Sequence, residues 1–301
     1  MSSPTSPASA DATEIAAHYS TDTTQQPLLD RLLAALAGDG VDPQRPTIAT
    51  LAPYDQFHGR GLDATRDMAD QLAAHIRAGH HLLDIGCGIG GPARYFAQRF
   101  GCRVTGIDLT PEFCAVARAL GELVQGTLAA NGDVALPEVT FELGNALAMP
   151  FAGASFDGAY SMNVSMNIAD KAAFYRDIHR VLRPGGWLML SEIARGHADA
   201  APPDFPTPWA STATGSFLAT ADETRDGLVQ AGFEVVELRS TRAQALEFAA
   251  LSRAAVARGE LPPHRSVRLV HGDIGPLATT NSARALADGR IEPIEVFARR
   301  G

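Results

Sequence analysis

At 301 residues, 46% hydrophobic and 20% charged, the chain carries enough apolar material for one large domain or for a domain with a cap. A formal charge of −9 argues against nucleic acid as the main partner, because binding phosphates requires clustered Lys and Arg. No apolar run approaches the roughly 18–20 residues that cross a bilayer, so no membrane partner is expected. Three cysteines exclude a disulfide framework and read as free thiols in a reducing cytoplasm.

Residues 1–10, rich in Ser, Pro and Ala, read as a disordered tail, and MSSPTSPASADATE has neither the basic start nor the apolar stretch of a secretory signal. Residues 11–78 read as a helical cap. Ile15 belongs to a short first piece, and Leu28, Leu29, Leu32, Leu33 and Leu36 form one apolar face ending at Gly38-Asp39-Gly40. A Pro- and Gly-punctuated stretch at 41–61 holds the aromatic segment LAPYDQFHGRG, and Ala64, Met68, Leu72 and Ile76 predict a second helix over about 63–78.

From residue 79 to 301 the pattern changes to strands alternating with helices. Strands are predicted at 81–85, 102–108, 139–145, 156–162, 187–193, 233–239 and 291–299. Helices are expected from Pro92, from Thr110 as N-cap with Pro111 in the first turn, across 170–182, and from the capping box Thr220-x-x-Glu223. The alternation predicts an α/β fold: a Rossmann-like, seven-stranded, mostly parallel sheet covered on both faces. The long separation of the last two strands predicts an insertion at 241–290. With its own helices, the sheet domain is expected to fold and bind its cofactor after removal of residues 1–60.

In open parallel sheets the ligand sits at the carboxyl ends of the strands, at the switch point beside the first strand. Here that strand runs into GCGIGG at 86–91. Gly86, Gly88 and Gly90 permit a sharp turn and close approach of a ligand, and the helix from Pro92 points its amide end at the same place. Asp84 is a carboxylate near a strand end and calls for a partner, such as an ammonium group held over the loop. Asp108 ends the second strand, where an acid can accept both hydroxyls of a ribose. Gly86, Gly88 and Gly91 also satisfy G-x-G-x-x-G, so an NAD(P)-dependent oxidoreductase is an alternative, although Lys171 is the only lysine and no Ser/Tyr/Lys hydride set appears.

LLDIGCGIGG resembles motif I of the class I S-adenosylmethionine-dependent methyltransferases, and GIDLT at 106–110 resembles their acidic segment after the second strand. The likeness continues through LGNALAMPF at 143–151, HRVLRPGGWLMLSE at 179–192 and AGFEVVEL at 231–238. It is to the small-molecule members of the sarcosine/dimethylglycine, tocopherol and ubiquinone/menaquinone type; DQFHGRG and FPTPWASTATGSFLAT (205–220) are similar to bacterial members. The resemblance implies S-adenosyl-L-methionine as cofactor, with Asp84, Gly86, Gly88 and Gly90 around its methionine part. It places Asp108 and Leu109 at the ribose, Asn145 and Ala146 at the adenine, and Asn163 beside the cofactor after the fourth strand. Asn145 stands where the family usually carries an acid. The implied reaction is methyl transfer to a nitrogen or carbon of a small molecule in bacterial specialised metabolism. A non-methylating cyclase on the same fold is the other alternative, and a homodimer is left open.

Methyl transfer from a sulfonium is an in-line displacement, which needs a held nucleophile, excluded water and removal of any proton the nucleophile carries. No metal set is predicted, since His80-His81 and His264…His271 lack ligand-spaced neighbours and read as surface residues. The acceptor pocket is expected from Tyr19, Tyr54, Phe57 and His58 of the cap, from Met162, Asn163 and Met166 after strand four, and from Trp209 and Phe217 after strand five. Such aromatic walls exclude water and hold flat or cationic groups. His58, with an ordinary pKa near neutrality and flanked by Gly59 and Gly61, is the general-base candidate, and Tyr19 is the second catalytic candidate. Cys87 reads as a small packing group.

Overall fold

Leu82 and Leu83 are neighbours in β1 (His81–Ile85) yet belong to different cores, because successive strand side chains point to opposite faces. The computed structural model describes residues 18–19 and 26–301; the expected tail at 1–10 and Ile15 lie outside the described residues. Around β1 stand β2 (Arg103–Asp108), β3 (Val139–Leu143), β4 (Phe156–Met162), β5 (Leu182–Arg195), β6 (Phe233–Ser240) and β7 (Ile291–Arg300), in the order β3-β2-β1-β4-β5-β7-β6. β3, β2, β1, β4 and β5 are mutually parallel, whereas β7 runs antiparallel between β5 and β6. The order reverses between β1 and β4, and this switch point sits directly above Asp84 and the glycine loop.

The cap helices are α1 (Leu28–Gly38), α2 (Ile48–Asp55) and α3 (Leu62–Leu72). α1 matches its apolar face: Leu28, Leu32 and Leu36 are buried with Leu51 and Tyr54 against the helix that follows β2, α5 (Pro111–Asn131). Each such leucine contributes about 1.5–3 kcal/mol through burial. α2 was hidden by punctuation within 41–61. Thr47 and Thr50 form a reciprocal capping box that starts it despite Pro53, whose carbonyl accepts from Arg265 N at 2.8 Å. α3 stops at Leu72 instead of reaching 78, although Ile76 is still buried.

The cap is bolted to α4 (Gly91–Phe100), the helix after the glycine loop. Arg94 and Asp55 pair at 3.0 Å with both side chains fully buried, and Arg94 also donates to the carbonyls of Ile89 and Ala117. A Cβ at Gly91 would collide with the carbonyl of Asp55, so glycine lets the cap chain lie against the helix start. Removing residues 1–60 would therefore leave the buried Arg94 guanidinium without its carboxylate, a cost that any free-standing sheet domain would have to bear.

α6 (Lys171–Val181) and α7 (Ala221–Gln230) cover the other face of the sheet through Phe174, Ile178 and Leu228. The capping box at Thr220 and Glu223 is formed as the sequence predicts. Thr110 occupies the N-cap of α5 but its side chain makes no cap bond. The segment between β6 and β7 carries α8 (Arg242–Ala257), α9 (Ser266–His271) and α10 (Gly275–Ala287).

Candidate active site

Gly86, Gly88 and Gly90 all have positive φ, at 71°, 52° and 81°. They serve different ends. A Cβ at Gly86 would strike Val164 and one at Gly90 would strike Phe141, whereas Gly88 has open space beside it. Gly88 therefore presents bare backbone to a cavity of about 1900 Å³ that Asp84, Gly86 and Asp108 also line. Gly90 is held as glycine by Phe141, with which a Cβ would collide.

Asp108 holds the loop in shape. Its Oδ2 accepts from Gly88 N at 2.8 Å and its Oδ1 from Thr110 N at 2.9 Å, leaving further lone pairs on both oxygens. Burial raises its pKa, offset in part by these two N–H groups. Asp84 is 2% exposed and its Oδ2 has no hydrogen-bond partner among the described residues. Burial pushes its carboxyl up to about 8, and a cation above Gly88 would draw it back to the ionised form. An orphaned acid, a bare glycine and a second acid at the strand ends fit the ammonium and ribose of S-adenosylmethionine.

Farther along the cavity, Asn145 accepts from Leu147 N at 2.9 Å through Oδ1, so its amide nitrogen is left to donate. Leu109 and Ala146 line the same wall. Asn163 takes a left-handed backbone at φ 58° and donates its N–H to the Ser191 carbonyl at 2.8 Å. Cys87 packs against Gly106, and burial pushes its thiol well above the ordinary value, keeping it neutral.

Most expected acceptor residues line the cavity: Tyr19, Tyr54, Phe57, Met162, Met166 and Trp209. Tyr54 is chiefly structural, since its hydroxyl donates to Asp39 at 2.8 Å and its ring carries Arg265 at 4.4 Å. Tyr19 meets Phe57 and Phe113 at centroid distances of 5.9 and 5.8 Å. Its hydroxyl donates to Asn167 Oδ1 at 3.0 Å, and Asn167 Nδ2 in turn donates to Trp209 O at 2.6 Å. Burial, with the charges of Asp108 and Glu192, raises the Tyr19 pKa, so the phenol stays protonated. Phe217 is not among the residues lining the cavity; its N–H donates to Met166 O and its carbonyl accepts from Lys171 Nζ, each at 2.7 Å.

His58 lines the cavity but is 6% exposed, with Nδ1 at 3.2 Å from Gly59 O and Nε2 at 3.0 Å from Thr65 Oγ1. The carbonyl requires a proton on Nδ1, and Nε2 lies beside Thr65 Oγ1, whose own proton goes to Gln56 Oε1 at 2.6 Å. Desolvation lowers its pKa to about 3. Where the sequence pointed to a near-neutral histidine, burial makes His58 a neutral imidazole and a weak base. His271, expected at the surface, is 7% exposed and burial holds its pKa down at about 4. Among the described residues no group of three His, Cys, Asp or Glu side chains is placed to hold a metal.

Sequence reasoning missed two features. Asp55–Arg94 joins residues 39 positions apart and has no local signature. Glu192 lines the cavity as the acid that ends the apolar run WLMLSE; its place at a strand's carboxyl end was the available signal.

The sheet order and the acid-flanked glycine loop at its switch point define a class I methyltransferase fold, and residues 83–190 match the family described as a methyltransferase domain. This segment is similar in sequence to methyltransferase domains, and the whole described chain shares their fold. An O-methyltransferase of Aspergillus sclerotiorum is 31% identical over 182 residues, which cover 60% of this chain and 65% of that protein. The chain thus spans just under two thirds of that relative's length. Geranyl diphosphate C-methyltransferase from Streptomyces coelicolor A3(2) superimposes with a TM-score of 0.64 at 18% identity, covering all of both chains. The cyclase SpnF superimposes at 0.62 and 22% identity, covering 91% of this chain and 93% of that one. The nicotinamide alternative is set aside, since the domain family is that of methyltransferases.

Proposed function

We propose that the chain transfers the methyl group of S-adenosylmethionine to a small-molecule acceptor held in the outer part of the same cavity. One observation carries this reading: the space beside Gly88 and Asp108 continues without a break to Trp209, Phe248 and Val256. At about 1900 Å³ it exceeds the roughly 300–1,000 Å³ of ordinary ligand pockets, so cofactor and a sizeable acceptor fit together. The bound cofactor supplies an electrophilic methyl group on a sulfonium. Asp84 holds the ammonium end, Asp108 and Leu109 the ribose, and Asn145 and Ala146 the adenine, with Asn145 donating where an acid could only accept. Asn163 flanks the cofactor, while Tyr19, Phe57, Met162, Met166 and Trp209 exclude water and orient the acceptor.

The acceptor atom is not confined to nitrogen or carbon. Relatives carry the names of oxygen, nitrogen and carbon methyltransferases alike, and an oxygen needs no metal where a protein carboxylate can take its proton. A cytoplasmic role in bacterial specialised metabolism belongs to the same proposal; no helix among the described residues is long and apolar enough to cross a membrane. The likeness in fold to SpnF favours a second reading, cyclisation without methyl transfer. A cofactor-consumption screen over phenols, amines, indoles and prenyl compounds, with the product's methyl position read by NMR, separates the two. Formation of S-adenosylhomocysteine with a methylated product is expected; cofactor binding without consumption by any acceptor class would favour the cyclase.

A further inference from the structure

We propose that Glu192 takes the acceptor's proton during transfer, so that the acceptor carries a hydrogen on the oxygen or nitrogen that is methylated. The inference rests on the reading above. Glu192 lies in the last third of β5, lines the cavity and is 3% exposed. Its two oxygens are unequal. Oε2 accepts from Val164 N at 3.1 Å and Ser165 N at 3.0 Å, which fixes the carboxylate against the loop after β4. Oε1 accepts from the Ser161 hydroxyl at a long 3.4 Å, and although the Ser165 hydroxyl also helps hold the carboxylate, Oε1 keeps a lone pair to receive a proton.

No described cation pairs with it directly. Lys171 donates instead to the carbonyls of Ser165, Ile168 and Phe217, at 2.6, 2.7 and 2.7 Å. The titratable groups around Glu192 are Lys171 and Tyr175 from α6 and Tyr19 from the N-terminal segment, while β7 sets the uncharged Ile294 opposite it. Both phenols are raised by burial and stay neutral. Tyr19, Asp108 and Glu192 line the same cavity. Desolvation pushes the Glu192 carboxyl up to about 7, where it can both take and release a proton near neutrality.

The step balances. The acceptor's lone pair forms the bond to the methyl carbon, the carbon–sulfur pair returns to sulfur, and the acceptor's hydrogen passes to Oε1. Glu192 returns it to water after the product leaves.

Glu192→Gln tests this, because an amide oxygen can still accept from Val164 and Ser165 while the side chain cannot take the proton. Carbon-13 glutamate NMR of the cofactor-free protein should show one carboxyl titrating near pH 7, absent from the variant, whose melting temperature should be no lower than that of wild type. With any acceptor found by the screen, the variant should lose about 10²-fold or more in rate along with the acid limb of the pH profile. S-adenosylhomocysteine affinity should be unchanged. A Glu192 carboxyl ionised throughout pH 5–9, or a variant that keeps its rate and acid limb, overturns the assignment. Failure of the wild type to bind S-adenosylhomocysteine would instead sink the methyltransferase reading, whatever the titration shows.

Discussion

The helices before the sheet and the helices inserted near its end enclose the same cavity but are built differently. In α1 and α2 the apolar residues point inward, with Leu32, Leu36 and Leu51 wholly buried, and the Asp55–Arg94 pair ties them to α4. In α8 only Ala255 is buried, and Leu251, Val256 and Leu261 around it are 57–66% exposed. Val256 and Leu261 nevertheless line the cavity. The N-terminal helices are thus packed into the core, whereas the α8 wall buries little against it.

The largest effect that tests this contrast is at the joint. Asp55→Ala should destabilise the protein by about 3–5 kcal/mol, because it strands the buried Arg94 charge. A urea midpoint close to that of wild type would show that the cap is a detachable lid. Val256→Ser, by contrast, should change stability by no more than about 0.5 kcal/mol while raising the acceptor's KM with kcat little altered. A large stability loss there would erase the distinction between the two regions.

Smaller effects sharpen it from the cofactor side. Asp84 and Glu192 hold protons in the folded state up to about pH 8 and 7, which the unfolded chain has lost. Their contribution therefore falls as pH rises through those values; buried histidines with lowered pKa values oppose the fall until the unfolded imidazoles are neutral too, so it is read between about pH 7.5 and 8.5. Thermal unfolding of the cofactor-free protein should show stability declining across that window, with a shallower decline in Asp84→Asn. The smallest effect is expected at His58. His58→Asn should fall well short of the roughly 10²-fold loss of a general base and leave the acid limb in place. A vanished limb would restore the histidine to catalysis.

The sheet and the glycine loop were legible because their signals are local. Strand runs, glycines before Pro92 and acids at strand ends all lie within a few residues of one another. α2 was obscured because Pro53 and the flanking glycines read as loop, while its start depends on the small Thr47–Thr50 box. His58 misled for a similar reason. Its sequence neighbours are polar and flexible, but its surroundings are set by Thr65 on α3 and by burial, which no spacing reveals. Phe217 carried an aromatic signal, but a residue's type does not reveal its place, and Phe217 is not among the cavity's lining residues.

Everything proposed for the cavity depends on S-adenosylmethionine lying over Gly88 with its ribose on Asp108. Calorimetric titration of S-adenosylhomocysteine into the wild type and Asp108→Ala tests this directly. One molecule should bind per chain, and the variant should bind more weakly by about 1.5–3 kcal/mol, the contribution of hydrogen bonds to a charged acceptor. Equal affinities in two folded proteins, or no binding to the wild type, would contradict the account.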